Sequence, residues 1–491
     1  MLSTTKRRTN SSDFLTTESP GLEASGGANR RGRRRRKWSK YREVFCCSII
    51  TLCIAFGISV SATAQDLPYS DLLTEPSPNA LSPLDGYFED ALANNAALQA
   101  QYQEVVAQSN VGAQVGALPD PEINLAFFAN PPDQDGSLPG RLSGSVMQMT
   151  PWFGTRSARR SAADARTRAL QQRLQQRALN LMRDVQATYV SYYRTQRAVE
   201  LTQRNLERLE SLVPTVEARY ETGQARSGQV DLLRIEMERD ELRTRLASLR
   251  EARRPLCARF NELLNRAEDA SITLPEGLPD MPLMLAGQQV QADAEAIADL
   301  LILRNPGLQS FEAQLRAAEH TERAARLDGW PQFGLGVQVM GRDFMQMRTM
   351  QRMNEGVSLM ATIQVPLFRG AYRAQQREAT AQRRATRYRQ TQQENELRTT
   401  IETHVQTYRD ATRRIELHRE RLLPRAEQAL NILREDYQAG GSDIDEVIRM
   451  QRQMLDYAIA LVEAQADQHT ARARLEALAP MPTRPTPDFA P

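Results

Sequence analysis

The chain has 491 residues, 25% charged and 41% apolar, with a net charge of +3. That balance excludes an unfolded tail and a polytopic helical membrane protein, and the length allows roughly three ordinary domains. All three lysines, Lys6, Lys37 and Lys40, precede residue 44. A P-loop, a Schiff-base enzyme and a protein kinase each need a lysine at the reacting phosphate or carbonyl, so those classes are excluded.

Arg30, Arg31, Arg33, Arg34, Arg35, Arg36, Lys37 and Lys40 form a basic run ahead of the apolar residues 44–60. Ala62-Thr63-Ala64 then supplies small side chains at the −3 and −1 positions of a cleavage site. This order predicts a secretory signal peptide over residues 1–64, cleaved so that the mature chain begins at Gln65. An uncleaved membrane anchor is the alternative, although the apolar run is at the short limit for a span. Residues 1–64 hold twelve basic and four acidic side chains, which leaves the remainder near −5 and implies no nucleic-acid partner. Cys46, Cys47 and Cys53 fall in that segment, so only Cys257 remains and no intrachain disulfide is possible.

An extended segment over 65–84 leads into a unit written twice. Asn95-Ala96-Ala97-Leu98 is echoed by Asn305-Pro306-Gly307-Leu308, 210 residues later. Pro151 and Pro366 are 215 apart, and Tyr220-Glu221-Thr222-Gly223 and Tyr437-Gln438-Ala439-Gly440 are 217 apart. Three landmarks at nearly one offset make the chain a tandem duplication. The first repeat spans 85–265, with a helix, a strand pair over 122–149 and a long helical hairpin over 155–265. A linker over 266–294 follows. The second repeat spans 295–479, with a helix, a strand pair over 332–365 and a hairpin over 371–478, and a tail over 480–491 closes the chain.

The strands alternate. Ile123, Leu125 and Phe127 oppose Glu122, Asn124 and Ala126, while Phe333, Leu335, Val337 and Val339 oppose Gln332, Gly334, Gly336 and Gln338. Val357, Leu359, Ala361 and Ile363 oppose Ser358, Met360, Thr362 and Gln364, and residues 142–149 alternate less cleanly. Period-2 patterning with a polar second face is that of a transmembrane barrel strand, or of a half-buried strand in a soluble sandwich. From 155 to 213 no break is expected, and Val185, Tyr192, Val199, Leu206 and Val213 recur every seven residues. Ile401, Tyr408, Ile415 and Leu422 repeat the pattern. A strict heptad means a left-handed coiled coil, and about 60 residues reach about 90 Å. The fold class is therefore mainly α, with long coiled-coil helices and four short strands.

With these features in view, the sequence resembles the TolC-type outer-membrane efflux family over nearly all of residues 85–479. The resemblance rests on the duplication, the strand pairs, Pro151-Trp152-Phe153-Gly154, Pro366-Leu367-Phe368, the two Tyr-x-x-Gly turns and the Leu422-Leu423-Pro424 break. It implies a homotrimer in which each protomer gives four strands to a twelve-stranded outer-membrane barrel and its helices to a periplasmic tunnel. It also implies a periplasmic adaptor protein and a proton-driven inner-membrane pump as partners, with no cofactor. The stretch from Gln148 to Gly154 is most similar to members associated with heavy-metal pumps. Strand count agrees with a trimer, because four strands cannot close a barrel around water and twelve can. Trp152 and Trp330 fall at strand ends, where an interfacial aromatic belt belongs.

No catalytic constellation is present in the sequence, and His320, His404, His418 and His469 are scattered, so an enzyme is not expected. The resemblance implies a periplasmic entrance just after each Tyr-x-x-Gly turn, Tyr220 to Gly223 and Tyr437 to Gly440. Its candidate gate residues are Asp443, Asp445, Glu446 and Arg449, with Asp231 as the first-repeat equivalent. Met345, Met347, Met350 and Met353 put four thioethers in nine residues, a candidate for soft metal ions such as Cu(I) or Ag(I). A periplasmic coiled-coil or adaptor protein without a barrel is the rival reading.

Overall fold

The computed structural model describes residues 83–129, 140–221, 228–275, 277–278, 284–285, 288–289, 294–342 and 356–480, all within the unit Pro68–Pro491. The signal segment, Gly223, Met345, Met347, Met350 and Met353 lie outside the described residues.

In chain order the first repeat contains α1 (Pro83–Asn94), α2 (Ala96–Gly116), β1 (Glu122–Ala129), β2 (Gly140–Thr150), α3 (Thr155–Glu210), α4 (Val213–Glu221) and α5 (Gly228–Leu263). The second contains α6 (Ala294–Arg304), α7 (Pro306–Leu327), β3 (Gln332–Arg342), β4 (Gly356–Gln364) and α8 (Arg369–Glu416). A widened turn (Leu417–Leu422) then leads to α9 (Leu423–Ala439) and α10 (Ile444–Glu476). Two two-residue strands, Met284–Leu285 and Gln288–Gln289, pair between the repeats.

The two repeats are built around the same asparagine. Asn95 divides α1 from α2: its Oδ1 accepts from the Leu98 amide at 3.1 Å, and its Nδ2 donates to the Leu263 carbonyl at 2.9 Å. Asn305 divides α6 from α7 and accepts from the Leu308 amide at 2.8 Å while donating to the Leu478 carbonyl at 2.6 Å. One side chain thus caps a helix start and ties it to the end of the last helix in its own repeat. Above each asparagine lies an apolar cluster. Tyr87, Phe88, Leu181, Val185, Phe260 and Leu264 form the first, and Ile297, Leu301, Leu397, Ile401 and Leu475 form the second.

Proline placement corrects the expected unbroken helix from 155 to 213. The helix α3 stops at Glu210 after 56 residues, about 84 Å at the α-helical rise. Ser211 and Leu212 form a turn, and α4 restarts at Val213 with Pro214 in its first turn. Pro214 has no amide to give the Glu210 carbonyl, and its ring crowds that oxygen. Its counterpart Pro424 ends α8 differently: the chain stays helical but widens over Leu417–Leu422, so the carbonyls that Pro424 would orphan are stepped past. The heptad positions Val185, Val199, Leu206, Ile401 and Ile415 are buried.

The four strands form one antiparallel sheet in the order β1-β2-β3-β4. Val146 stands opposite both Ile123 and Val337, and Val337 opposite Leu359. This register puts Leu125, Val146, Leu335, Val337, Leu359 and Ile363 on one face. The strand with weak alternation is thereby resolved, with Val146 and Gly144 on the apolar side and Ser143, Ser145, Met147 and Met149 on the other.

Because each asparagine makes a cap bond and a long-range bond, Asn95→Ala and Asn305→Ala should each lower unfolding free energy by about 1–2 kcal/mol. The double variant should lose nearly the sum, measured by denaturant unfolding in detergent. A second expectation concerns His404, whose Nδ1 has no hydrogen-bond partner. Burial, then the nearby Arg474 and Arg183, hold its pKa below the ordinary 6.5. The unfolded chain therefore binds a proton that the folded one rejects just below pH 6.5, so this group costs stability as pH falls through that window. Replacing His404 with Gln should flatten the dependence of the unfolding midpoint between pH 7.5 and 5.

Candidate functional site

At the end of the helical hairpins, Leu206, Leu209, Val216, Ile235, Leu242, Tyr437, Ile444, Val447 and Ile448 form a core joining α3, α4, α5, α9 and α10. Gly440 ends α9 with φ of 90°, a left-handed conformation that needs glycine, and the Gly441 amide reaches back to the Asp436 carbonyl at 2.8 Å. This is the physical content of the second Tyr-x-x-Gly. Its Tyr437 is buried, and Arg219 of α4 lies 4.3 Å over the ring while donating to the Tyr437 carbonyl at 2.5 Å. Burial pushes the Tyr437 phenol above its usual range. Tyr220, the first-repeat counterpart, is exposed instead. The duplication is broken here, since one tyrosine is a core anchor and the other is a surface group.

Asp443 caps α10, its Oδ1 accepting from the Asp445 amide at 3.5 Å and facing Arg234 of α5 at 3.6 Å. Asp445 is ion-paired with Arg449 one turn later, and Glu446 is exposed. Asp231, in the first turn of α5, is buried and interacts with Tyr437 across the joint. The structure thus brings Asp443, Asp445, Glu446 and Arg449 onto one exposed turn, and sets Asp231 inside the joint beside them.

Sequence reading missed a ladder that ties α5 to α10. Arg234 meets Asp443, Arg452 meets both Glu238 and Glu241 (3.0 Å to the latter), and Arg245 faces Asp456 at 3.6 Å. Positions 234, 238, 241 and 245 lie on one helical face with signs plus, minus, minus, plus, and that pattern is the signal that could have found them. The exposed pairs contribute little each. Glu238 differs because it is only 4% exposed, so losing Arg452 would leave a buried carboxylate without its ion-pair partner.

At the opposite end, the apolar sheet face is bare. Leu125 is 75% exposed, Leu335 72% and Leu359 87%, and no described residue covers them. Trp152 stacks on Trp330 with centroids 4.9 Å apart, and Phe333 lies 5.6 Å from Trp152. Phe153, 5.9 Å from Trp152, extends this belt, and it is exposed together with Leu367 and Phe368, all three named in sequence as part of the strand-to-helix joins but not as belt residues. Gly154 turns β2 into α3 at φ of 84°. The first and last strands of the sheet, β1 and β4, have no second neighbour among the described residues. No described helix is long and apolar enough to cross a membrane. Among the described residues no group of three or more His, Cys, Asp or Glu side chains could hold a metal ion.

Residues 297–479 match the outer membrane efflux protein family. Among solved structures, the outer-membrane channel OprN superposes with a TM-score of 0.68 at 18% identity, over 81% of this chain and 89% of that one. CusC, whose structures concern transmembrane channel formation, gives 0.68 at 15% identity over 85% and 95%. The outer membrane protein VceC of Vibrio cholerae gives 0.67 at 19% identity over 80% and 95%. This is the fold of the outer-membrane channels. No curated protein matches the chain.

Removing Arg452 should expose the dependence of Glu238. Arg452→Ala is expected to speed hydrogen exchange across residues 231–245 and 444–456, and adding Glu238→Gln should restore most of the protection. Equal protection in all three proteins would show that the ladder does not hold α5 to α10.

Proposed function

We propose that this protein is a passive efflux duct of the outer membrane, working as a homotrimer. The observation that carries the reading is a four-stranded sheet with one bare apolar face, two open edges and an aromatic belt, set on long amphipathic helices. Water would penalise that face, whereas lipid would accept it. Lipid cannot satisfy the free amides and carbonyls of β1 and β4, so those edges require strands from further copies. Three copies give twelve strands, enough to enclose water. The match over residues 297–479 to the efflux family and the channel fold support this reading. A coiled-coil or adaptor protein without a barrel would leave the apolar face unexplained.

In this reading the helices form a periplasmic tunnel whose entrance is the α9–α10 turn, reached after export by a cleaved signal peptide. A periplasmic adaptor opens it, and a proton-driven inner-membrane pump supplies the energy. Three-fold symmetry gathers Asp445 and Glu446 from each copy around one axis, a ring that favours cations. Arg449 offsets Asp445 within each chain, so Glu446 carries most of the uncompensated charge.

Planar-bilayer recording tests this. Asp445→Ala with Glu446→Ala should raise single-channel conductance and relax cation preference, while Arg449→Ala should sharpen it. Unchanged conductance and selectivity in all of these would remove the residues from the constriction. Cross-linking in membranes should stop at three copies, and a conducting species of one chain would overturn the trimer.

A further inference from the structure

On the face of the sheet opposite the bare apolar one, three methionines flank two glycines in register. Met149 pairs with Gly334, Met147 pairs with Gly336, and Gly336 pairs in turn with Met360. Both glycines are buried, and neither presents a side chain to keep the flanking thioethers apart. The Met149 sulfur occupies the space that a Cβ on Gly334 would take, and the Met147 sulfur lies 3.6 Å from the same point. Two thioethers from one strand therefore fold over the same glycine of the next. Thr362 Oγ1 stands 3.7 Å from the Met147 sulfur, and Glu122 is the register partner of Met147 on the far side.

We propose that Met147, Met149 and Met360 form a site for a soft monovalent metal ion, Cu(I) or Ag(I). Thioethers are neutral, polarisable donors that prefer such ions over Zn(II), Mg(II) or Ca(II). Methionines of a packed core sit among apolar partners. These three lie instead on a largely polar face that carries Glu122, Asn124, Ser145, Gln338, Ser358 and Thr362, with Met340 the one further methionine on it among the described residues. Each is half-buried, so an ion held there would still be reached from solvent. Met side chains have three rotatable bonds, and the glycine rows give them room to close on one ion. Thioethers carry no proton to displace, so binding should not depend on pH from about 5 to 8, unlike a carboxylate, imidazole or thiolate site.

The inference deepens the duct reading, because there this face lines the water-filled passage and the ion is cargo or a probe of its path. The experiment uses the purified full chain in detergent with silver nitrate in chloride-free buffer, and every protein compared, the reference included, carries Cys257→Ser so that its free thiol does not bind silver. Retained silver is measured after gel filtration, and sulfur neighbours by X-ray absorption at the silver edge. The reference protein should retain silver with sulfur in its first coordination shell, at the same affinity at pH 5.5 and 7.5, and should not retain Zn(II). The volume-conserving double change Met147→Leu with Met149→Leu should lose this retained silver. Met360→Leu alone, read the same way, covers the case in which the double variant does not fold. A third protein, with Met345, Met347, Met350 and Met353 changed to Leu, should keep the pH-independent binding. Silver affinity equal in the reference, the double variant and Met360→Leu, or oxygen and nitrogen neighbours only, would overturn the site. Wild-type conductance in silver-free nitrate is recorded separately, so a missing pore would count against the duct and not against the metal site.

Discussion

The pairing of β2 with β3 joins the two repeats in the sheet, and much of the remaining geometry follows from its register. With Val146 opposite Val337 and Met147 opposite Gly336, the large aliphatic strand residues from Ile123 to Ile363 are committed to one face, and the other carries Gly334, Gly336, the serines and the methionines. A slip of one residue would exchange the faces along half the sheet. The glycines Gly334 and Gly336 hold that register from the face opposite the aliphatic one. A Cβ on Gly336 would stand 2.8 Å from the Val146 carbonyl oxygen, so only glycine permits so close an approach of the strands. The same absence of side chains is what lets the thioethers of Met147 and Met149 lie over β3.

Below the sheet, duplication is kept where it bears load and abandoned where it does not. Asn95 and Asn305 repeat cap for cap and tie for tie, because each must satisfy a helix start and fix its repeat's last helix at once. The joins from strand to helix have diverged: Gly154 is left-handed at φ of 84°, while Phe368 makes the equivalent turn at φ of −85°. Pro214 and Pro424 impose the same missing amide on both long helices, yet one helix breaks and the other widens by a turn. A proline states that the hydrogen-bond ladder is interrupted. The surrounding packing decides how.

The hairpin tip is organised by arginine. Arg219 covers Tyr437, Arg234 meets Asp443, Arg449 meets Asp445, and Arg452 holds two glutamates. A planar guanidinium can stack on a ring and donate to a carbonyl at the same time, as Arg219 does, which an ammonium group does less well. The absence of lysine after residue 40 is consistent with a chain whose long helices are joined by such forked contacts.

The sequence by itself determined the elements and their doubling. Heptads in α3 and α8, alternation in β1, β3 and β4, and the asparagine and proline landmarks are local patterns, and local periodicity reflects which face is buried. The tertiary structure alone decided which partners meet across large separations. The register of β2, whose own alternation is poor, is set by β1 and β3. Tyr437 and Tyr220 share a motif, yet only Tyr437 is buried, in the joint core and beneath Arg219 of the other repeat. Glu238 and Arg452 are 214 residues apart, and the charge pattern on α5 marks a paired face without saying which helix meets it. Met147, Met149 and Met360 are likewise unremarkable in sequence, and become a cluster only when strand pairing sets them on either side of glycines.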